Sequence, residues 1–139
     1  MERPEESAAA PDRRLAATLA ATGAVLAGLC VAGGAFGAHA MRDLVTPARL
    51  ATFETGVRYG LVHGVALVAL AALAAAHPAF APAARRTGLL WTLGVVVFTG
   101  SLSLLVGLDL PVLGAVTPIG GAALIVGWAS LAVAAWRMR

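Results

Sequence analysis

The sequence predicts an all-α integral membrane protein, folded as an antiparallel four-helix bundle. Of its 139 residues, 60% are hydrophobic and only 12% are charged, and the mean hydropathy is +0.87. Soluble domains carry about 25% charged residues, so a water-soluble globule is excluded. The apolar residues form four runs that match the ~20 residues needed to cross a bilayer. Their length and lack of alternation exclude barrel strands, and they fill most of the chain.

The four predicted spans make up one membrane domain, residues 1–139, and occupy approximately 15–40, 58–77, 88–108 and 112–136. A cytoplasmic tail, residues 1–14, is expected before the first span. A signal peptide is not expected there, because the apolar region of a signal peptide is only about 7–15 residues long and the first apolar run of this chain is longer. The connections between spans are short, so neighbouring helices are antiparallel.

The segment before the second span carries helix signals of its own. Thr46 is predicted to be an N-cap, with Pro47 in the first helical position. Glu54 and Arg58 then form an i,i+4 pair on a face away from the apolar side chains. Two alternatives follow: a short amphipathic helix at the membrane interface, or an early, water-exposed start of the second span.

The distribution of arginine predicts the orientation of the chain. Seven arginines lie in the tails and the second loop, and three lie on the other side: Arg3, Arg13, Arg14, Arg85, Arg86, Arg137 and Arg139 against Arg42, Arg49 and Arg58. The positive-inside rule then places both termini in the cytoplasm of a bacterial cytoplasmic (inner) membrane. Trp91 and Trp136 fall near the inner ends of their spans and are predicted to be interfacial anchors.

The basic and sulfur-containing residues exclude several classes of function. All ten basic residues are arginine, so a P-loop or a Schiff-base lysine is excluded. The arginines lie in small groups and form no phosphate-tracking stripe, so no nucleic-acid partner is expected. The single cysteine, Cys30, excludes a thiol–disulfide enzyme.

Small residues recur at helical spacing in the first two spans. Gly33 and Gly37 are four residues apart, and Gly56, Gly60 and Gly64 repeat the same interval. Such spacing lets helix backbones approach closely in lipid. We therefore expect these glycines to form packing surfaces within the bundle or in a homo-oligomer.

The spans contain no deeply placed carboxylate, which removes the main support for proton-coupled transport and for carboxylate catalysis. No catalytic residue and no metal site are predicted. A polar site in the outer leaflet is the candidate instead, and its members are His39, Glu54, Arg58, Tyr59, His63, Ser101 and Thr117.

Three interpretations of this outer cluster remain open. Its members could satisfy one another and hold the bundle together. His39 and His63 could be the axial ligands of a haem or part of a metal site, although no third ligand or CxxCH motif accompanies them. The cluster could also form a vestibule for a lipid head group or a small solute, with arginines supplying the charge.

Several motifs resemble those of the YgdD-like family of small inner-membrane proteins. They are residues 33–40 (GGAFGAHA), 52–59 (TFETGVRY) with His63 following, 98–102 (FTGSL) and 114–121 (GAVTPIGG). The resemblance covers about residues 15–136 and implies four spans, but no reaction, substrate or cofactor, since the family's function is unknown. Gly60, Val62 and Gly64 depart from the larger Gln, Tyr and Ala of the family, which removes hydrogen-bonding neighbours near His63.

These observations favour a non-enzymatic accessory, assembly or interaction protein. Its expected partners are membrane lipids, further copies of itself or a larger membrane complex. The alternatives are a small transporter, a lipid- or solute-binding protein that uses the outer cluster, and a haem-binding redox component.

Overall fold

The computed structural model describes residues 4–138, with side chains described from Arg13 onward. Helix α1 (Pro4–Phe36) continues into a π-helical turn (Gly37–Met41), and α2 spans Pro47–Ala76. A 3₁₀ turn (Pro78–Phe80) leads directly into α3 (Ala81–Leu108). A second 3₁₀ turn (Pro111–Ala115) precedes α4 (Thr117–Arg137).

The helices are long and apolar enough for the molecule to span a membrane. Four stretches of residues 4–138 are long and apolar enough to cross a membrane: Arg13–Met41, Pro47–Ala76, Pro78–Leu108 and Pro111–Arg137. No strand occurs in this part of the chain. The predicted fold class, an all-α antiparallel membrane bundle, is confirmed.

The alternating helix directions give the bundle two distinct ends. The connections 42–46 and 109–116 lie at one end, which we call the two-loop end. The start of α1, the turn Pro78–Phe80 and the end of α4 lie at the other, which we call the terminal end.

Helix α2 resolves the two alternatives for the segment before the second span. The Thr46 side chain accepts a hydrogen bond from the Arg49 backbone N at 3.4 Å, as predicted for an N-cap. From Pro47 the helix continues without a break to Ala76, so there is no separate interfacial helix. No residue interrupts the backbone hydrogen bonds, because Pro47 lies in the first turn, where its missing N–H costs nothing.

Other helices also extend beyond the predicted apolar runs. Helix α3 begins at Ala81 instead of near residue 88, because the turn that carries Arg85 and Arg86 is helical although it is polar. Hydropathy marks only the apolar part of such a helix. Of the predicted tail 1–14, residues 1–3 lie outside the described residues, and α1 begins at Pro4.

The helices pack mainly in chain order: α1 against α2, α2 against α3, and α3 against α4. Contact between α1 and α3 is slight and the described residues of α1 and α4 make almost none, so α1 and α4 lie at opposite edges of the bundle. The larger core cluster joins all four helices and the turn before α3, and its buried members are Leu19, Leu67, Leu70, Ala71, Ala74, Phe80, Ala84, Trp91, Val95 and Leu124. A smaller cluster of Met41, Phe53 and Val106 lies toward the two-loop end.

Glycines bring two helix pairs into backbone contact. A Cβ on Gly64 of α2 would lie 2.7 Å from the backbone N of Ala27 in α1. A Cβ on Gly120 of α4 would lie 2.5 Å from the backbone N of Phe98 in α3. Because the side chain of glycine is only a hydrogen atom, these positions allow the close approach that stabilises helix pairs in lipid. Gly64 belongs to the glycine repeat that the sequence predicts as a packing surface.

Candidate functional site

His63 lies near the middle of α2 and is 4% exposed. Its Nδ1 is 2.8 Å from the carbonyl oxygen of Tyr59, and its Nε2 accepts a hydrogen bond from Trp128 Nε1 of α4 at 3.0 Å. Because an indole N–H only donates and a carbonyl only accepts, a neutral imidazole with its proton on Nδ1 satisfies both contacts. His63 therefore links α2 to α4.

Two tryptophans flank His63, Trp91 at 1% exposure and Trp128 at 45%. The ring centroid of His63 is 5.9 Å from those of Trp91 and Trp128, and both tryptophans meet it edge-on. The two indoles are 4.4 Å apart. A Cβ on Gly127 would lie 2.5 Å from two atoms of the Trp91 ring, so this glycine makes room for the indole. We call His63, Trp91 and Trp128 the aromatic centre.

The aromatic centre corrects the prediction made for Trp91. That residue is 1% exposed and lies in the core, so it is not an interfacial anchor. Its Nε1 is buried without a hydrogen-bond partner among the described residues. The sequence placed Trp91 at the end of its span because α3 was expected to start near residue 88, whereas the helix begins at Ala81.

Tyr59 stands one turn before His63 on α2 and extends the centre toward α3. Its ring lies 6.4 Å from the His63 ring in a stacked arrangement and 4.9 Å from that of Phe98. Tyr59 is nevertheless 45% exposed, so it borders the centre and is not enclosed by it.

Ser101 and Thr117 form a second polar pair, closer to the two-loop end. Their hydroxyl oxygens are 2.8 Å apart and join α3 to the first residue of α4. Each hydroxyl is also near a carbonyl of the preceding turn, that of Phe98 at 3.0 Å and that of Leu113 at 3.2 Å. The sequence placed both residues in one polar layer, and the structure brings them into contact.

Among the described side chains, the other three candidates of the predicted polar site make no hydrogen bond or ring contact with His63 and Tyr59 or with Ser101 and Thr117. His39, in the π-helical turn after α1, is exposed, as are Glu54 and Arg58 on α2. Glu54 and Arg58 form no ion pair, although their spacing allows one; among the described side chains the ion pair is Arg49–Asp109. The seven candidates therefore do not assemble into one polar site.

The geometry also bears on the haem hypothesis. Both ring nitrogens of His63 are engaged in hydrogen bonds, and His39 is exposed beyond the end of α1. An axial ligand needs a nitrogen free for the iron, so His63 would have to give up its bond to Trp128. The described residues contain no group of three His, Cys, Asp or Glu side chains placed to hold a metal ion.

The sequence did not predict a contact that joins the start of α2 to the end of α3 at the two-loop end. Arg49 in α2 donates through Nη1 to Asp109 Oδ1 at 2.7 Å. Its Nη2 donates to the carbonyl oxygens of Leu105 and Val106, both at 3.1 Å. These carbonyls belong to the last turn of α3, which carries partial negative charge, and the Leu105 carbonyl also accepts from the backbone N–H groups of Asp109 and Leu110. A signal was present, since an arginine and an aspartate lie in segments that the topology brings to the same end.

A further polar contact joins α2 to α3. The Thr99 hydroxyl donates to the carbonyl oxygen of Gly56 at 2.8 Å, and the buried Cys30 of α1 lies beside Gly60 one turn further on. Gly56 lacks a side chain, which leaves its carbonyl accessible to the neighbouring helix. This bond, the His63–Trp128 bond and the Ser101–Thr117 pair all connect different helices.

Comparison with known proteins identifies a group of similar sequences. A family model described as "Protein of unknown function (DUF423)" matches residues 33–121. The UPF0382 membrane protein YwdK of Bacillus subtilis is 38% identical over 81% of this chain and 91% of its own length. UPF0382 membrane proteins of Staphylococcus aureus and Haemophilus influenzae are 35% and 34% identical, over 83% and 79% of this chain and 92% and 86% of their own lengths. No solved structure matches the chain.

Proposed function

We propose that this chain, a member of DUF423, is a non-enzymatic accessory or assembly protein. DUF423 is a family of unknown function, and the relatives of this chain are named membrane proteins. The chain is a multi-pass membrane protein. We place it in the bacterial cytoplasmic membrane with both termini in the cytoplasm, since seven of its ten arginines lie in the tails and the loop between α2 and α3.

One observation carries the proposal of a non-enzymatic role. Three hydrogen bonds made by polar side chains join helices: His63 to Trp128, Ser101 to Thr117, and Thr99 to the Gly56 carbonyl. A catalytic nucleophile needs an adjacent base and a space where a substrate can reach it. Interior groups that bond one another serve packing, as polar contacts between membrane helices commonly do.

The edge helices support a role in assembly. Helices α1 and α4 have neighbours on fewer sides than α2 and α3 and present large apolar side chains outward. Leu29 is 65% exposed on α1, and Ile125 is 71% exposed on α4. In a membrane these faces contact lipid, a second copy of the chain or another membrane protein. We propose that one edge helix contacts a protein partner, a second copy or a member of a larger complex.

Site-specific photocrosslinking in native membranes tests this proposal. A photoreactive residue at Leu29 or Ile125 is expected to give one discrete protein adduct at one of the two edges. The same residue at Leu124, which is adjacent to Ile125 but only 2% exposed, is the control for reaction within the bundle. Adducts with lipid alone from both edge positions would contradict the assembly role.

A further inference from the structure

A groove between α1 and α3 opens at the terminal end of the bundle. Its volume is about 580 Å³, and it exists because these two helices touch each other only slightly. Leu19 and Gly88 meet at its base, where a Cβ on Gly88 would collide with the Leu19 side chain. Leu15 from α1 and Leu89 from α3 add apolar surface to its walls.

Two arginines line the same groove, one from each helix. Arg14 and Arg85 are both exposed, and neither guanidinium group has a hydrogen-bond or ion-pair partner among the described residues. Arg86 differs, because its Nε donates to Ser130 Oγ of α4 at 2.8 Å. The described acidic side chains, Asp43, Glu54 and Asp109, are at or toward the two-loop end of the molecule. Arg14 and Arg85 therefore bring two positive charges to the groove, and no described acidic side chain lies beside them.

Two of the three threonines that line the groove use their hydroxyls within their own helices. The Thr18 hydroxyl donates to the Arg14 carbonyl oxygen at 2.8 Å, and the Thr92 hydroxyl donates to that of Gly88 at 2.7 Å. These donors are satisfied within their own helices. From Arg14 to Thr22 the groove follows α1 for about 12 Å at 1.5 Å per residue, which is several methylene groups of an acyl chain.

We propose that this groove binds an anionic phospholipid. The phosphate lies between the Arg14 and Arg85 guanidinium groups, and one acyl chain runs along Leu15, Leu19 and Leu89. Guanidinium groups bind phosphate oxygens in pairs of parallel hydrogen bonds, and basic pockets between membrane helices select anionic head groups. The combination of charge at the membrane surface and apolar depth fits a lipid better than a free phosphate, which would leave the apolar walls uncovered.

Lipid retention measured by native mass spectrometry tests the proposal. The full-length protein is purified in detergent and mixed with phosphatidylglycerol or phosphatidylcholine of matched chain length. We expect the unmodified protein to retain phosphatidylglycerol preferentially. Arg14→Gln and Arg85→Gln should each weaken that binding about fivefold, since one surface arginine supplies about that factor for an anionic lipid.

Matched controls separate the groove from net charge. Arg13→Gln removes the same charge from the adjacent residue, which does not line the groove, and should leave binding within about twofold of the unmodified protein. Thr22→Trp fills the groove but keeps both arginines, and should abolish preferential retention. Equal binding of the two lipids by the unmodified protein would overturn the proposal, and so would equal losses for Arg13→Gln and Arg14→Gln.

The same experiment distinguishes other occupants. Glycerophosphoglycerol, the head group without acyl chains, should not displace the lipid at equal concentration. Displacement by this soluble compound would overturn the assignment of the apolar groove to an acyl chain. A dimer that Arg14→Gln dissociates, with lipid retention unchanged, would assign the groove to a second copy of the chain instead.

Discussion

At the residue scale, His63 shows how a histidine inside a membrane helix can serve the fold. Its two ring nitrogens bond a carbonyl of its own helix and an indole of α4, so it carries no unpaired polar atom into the apolar interior. An unpaired polar group there would cost several kcal/mol. The pairing with Trp128 therefore both satisfies His63 and fixes the distance between α2 and α4.

A double-mutant cycle measures this link. His63→Phe and Trp128→Phe keep an aromatic ring at each position and remove the hydrogen bond. We expect a coupling free energy of about 0.6 kcal/mol, and at most about 1.7 kcal/mol, the range for such bonds in membrane helices. Thermal unfolding in detergent gives the four stabilities. Additive effects of the two substitutions would show that the bond contributes nothing.

Glycines at helix contacts give a second prediction at this scale. A Cβ on Gly23 of α1 would lie 2.5 Å from the carbonyl oxygen of Gly64 and 2.9 Å from Leu67 Cβ. Gly23→Ala should therefore destabilise the bundle by about 1–3 kcal/mol, seen as a lower Tm. Gly28 of the same helix is the control, because a Cβ there meets nothing within 4 Å.

Gly28→Ala should leave the Tm unchanged or raise it, since alanine is favoured over glycine in a helix by up to about 1 kcal/mol. If both alanine variants lower the Tm equally, close contact between α1 and α2 is not what requires glycine at position 23.

At the element scale, Arg49 connects the start of α2 to the end of α3. The last turn of a helix has carbonyls without partners, and a cation there also interacts favourably with the helix dipole. Arg49 donates to the Leu105 and Val106 carbonyls of this turn as well as to Asp109. Asp109 terminates α3 in a left-handed conformation, with φ 55°, a region that aspartate and asparagine tolerate better than most residues.

The relative importance of these bonds can be predicted from exposure. The Asp109 side chain is 77% exposed and that of Arg49 31%, so their ion pair contributes little, about 0–1 kcal/mol. Asp109→Asn keeps the left-handed turn and should cost less than about 0.5 kcal/mol. Arg49→Ala also removes the side-chain donor from the Leu105 and Val106 carbonyls, of which Leu105 keeps its backbone donors, and should cost about 1–2 kcal/mol.

Thermal unfolding compares these variants, and hydrogen exchange over the last turn of α3 shows where the loss occurs. Arg58→Ala, on the same helix and exposed, is the control and should change neither measurement. Equal losses for Asp109→Asn and Arg49→Ala would assign the effect to the ion pair.

The sequence predicts the elements better than it predicts the contacts between them. Run length and hydropathy identify four helices, because crossing a bilayer constrains both. The predicted spans begin near residues 58 and 88, whereas helices α2 and α3 begin at Pro47 and Ala81, since a helix can continue through arginine-containing turns that a hydropathy run leaves out. The His63–Trp128 bond was not predicted, because it depends on how α2 and α4 are rotated and shifted along their axes. The Ser101–Thr117 pair was expected within one polar layer because both residues lie close to the same connection.

At the scale of the whole molecule, packing in chain order explains how one small bundle can have both a buried core and edge helices with faces that no other helix covers. The middle helices α2 and α3 carry most of the core, while α1 and α4 contact the surroundings. The groove between α1 and α3 follows from the same arrangement. The resemblance to a small membrane family of unknown function, first drawn from four motifs, is confirmed by the family match.

The central claim is that the four helices cross a membrane in alternating directions, with both termini in the cytoplasm. Single cysteines at Asp43, Arg85 and Val112 test it in intact cells with a membrane-impermeant thiol reagent, since all three positions are exposed and Cys30 is buried. The account predicts labelling at positions 43 and 112 from outside the cell, and labelling at 85 only after the membrane is permeabilised. Labelling of position 85 in intact cells, or different sidedness at positions 43 and 112, would contradict it.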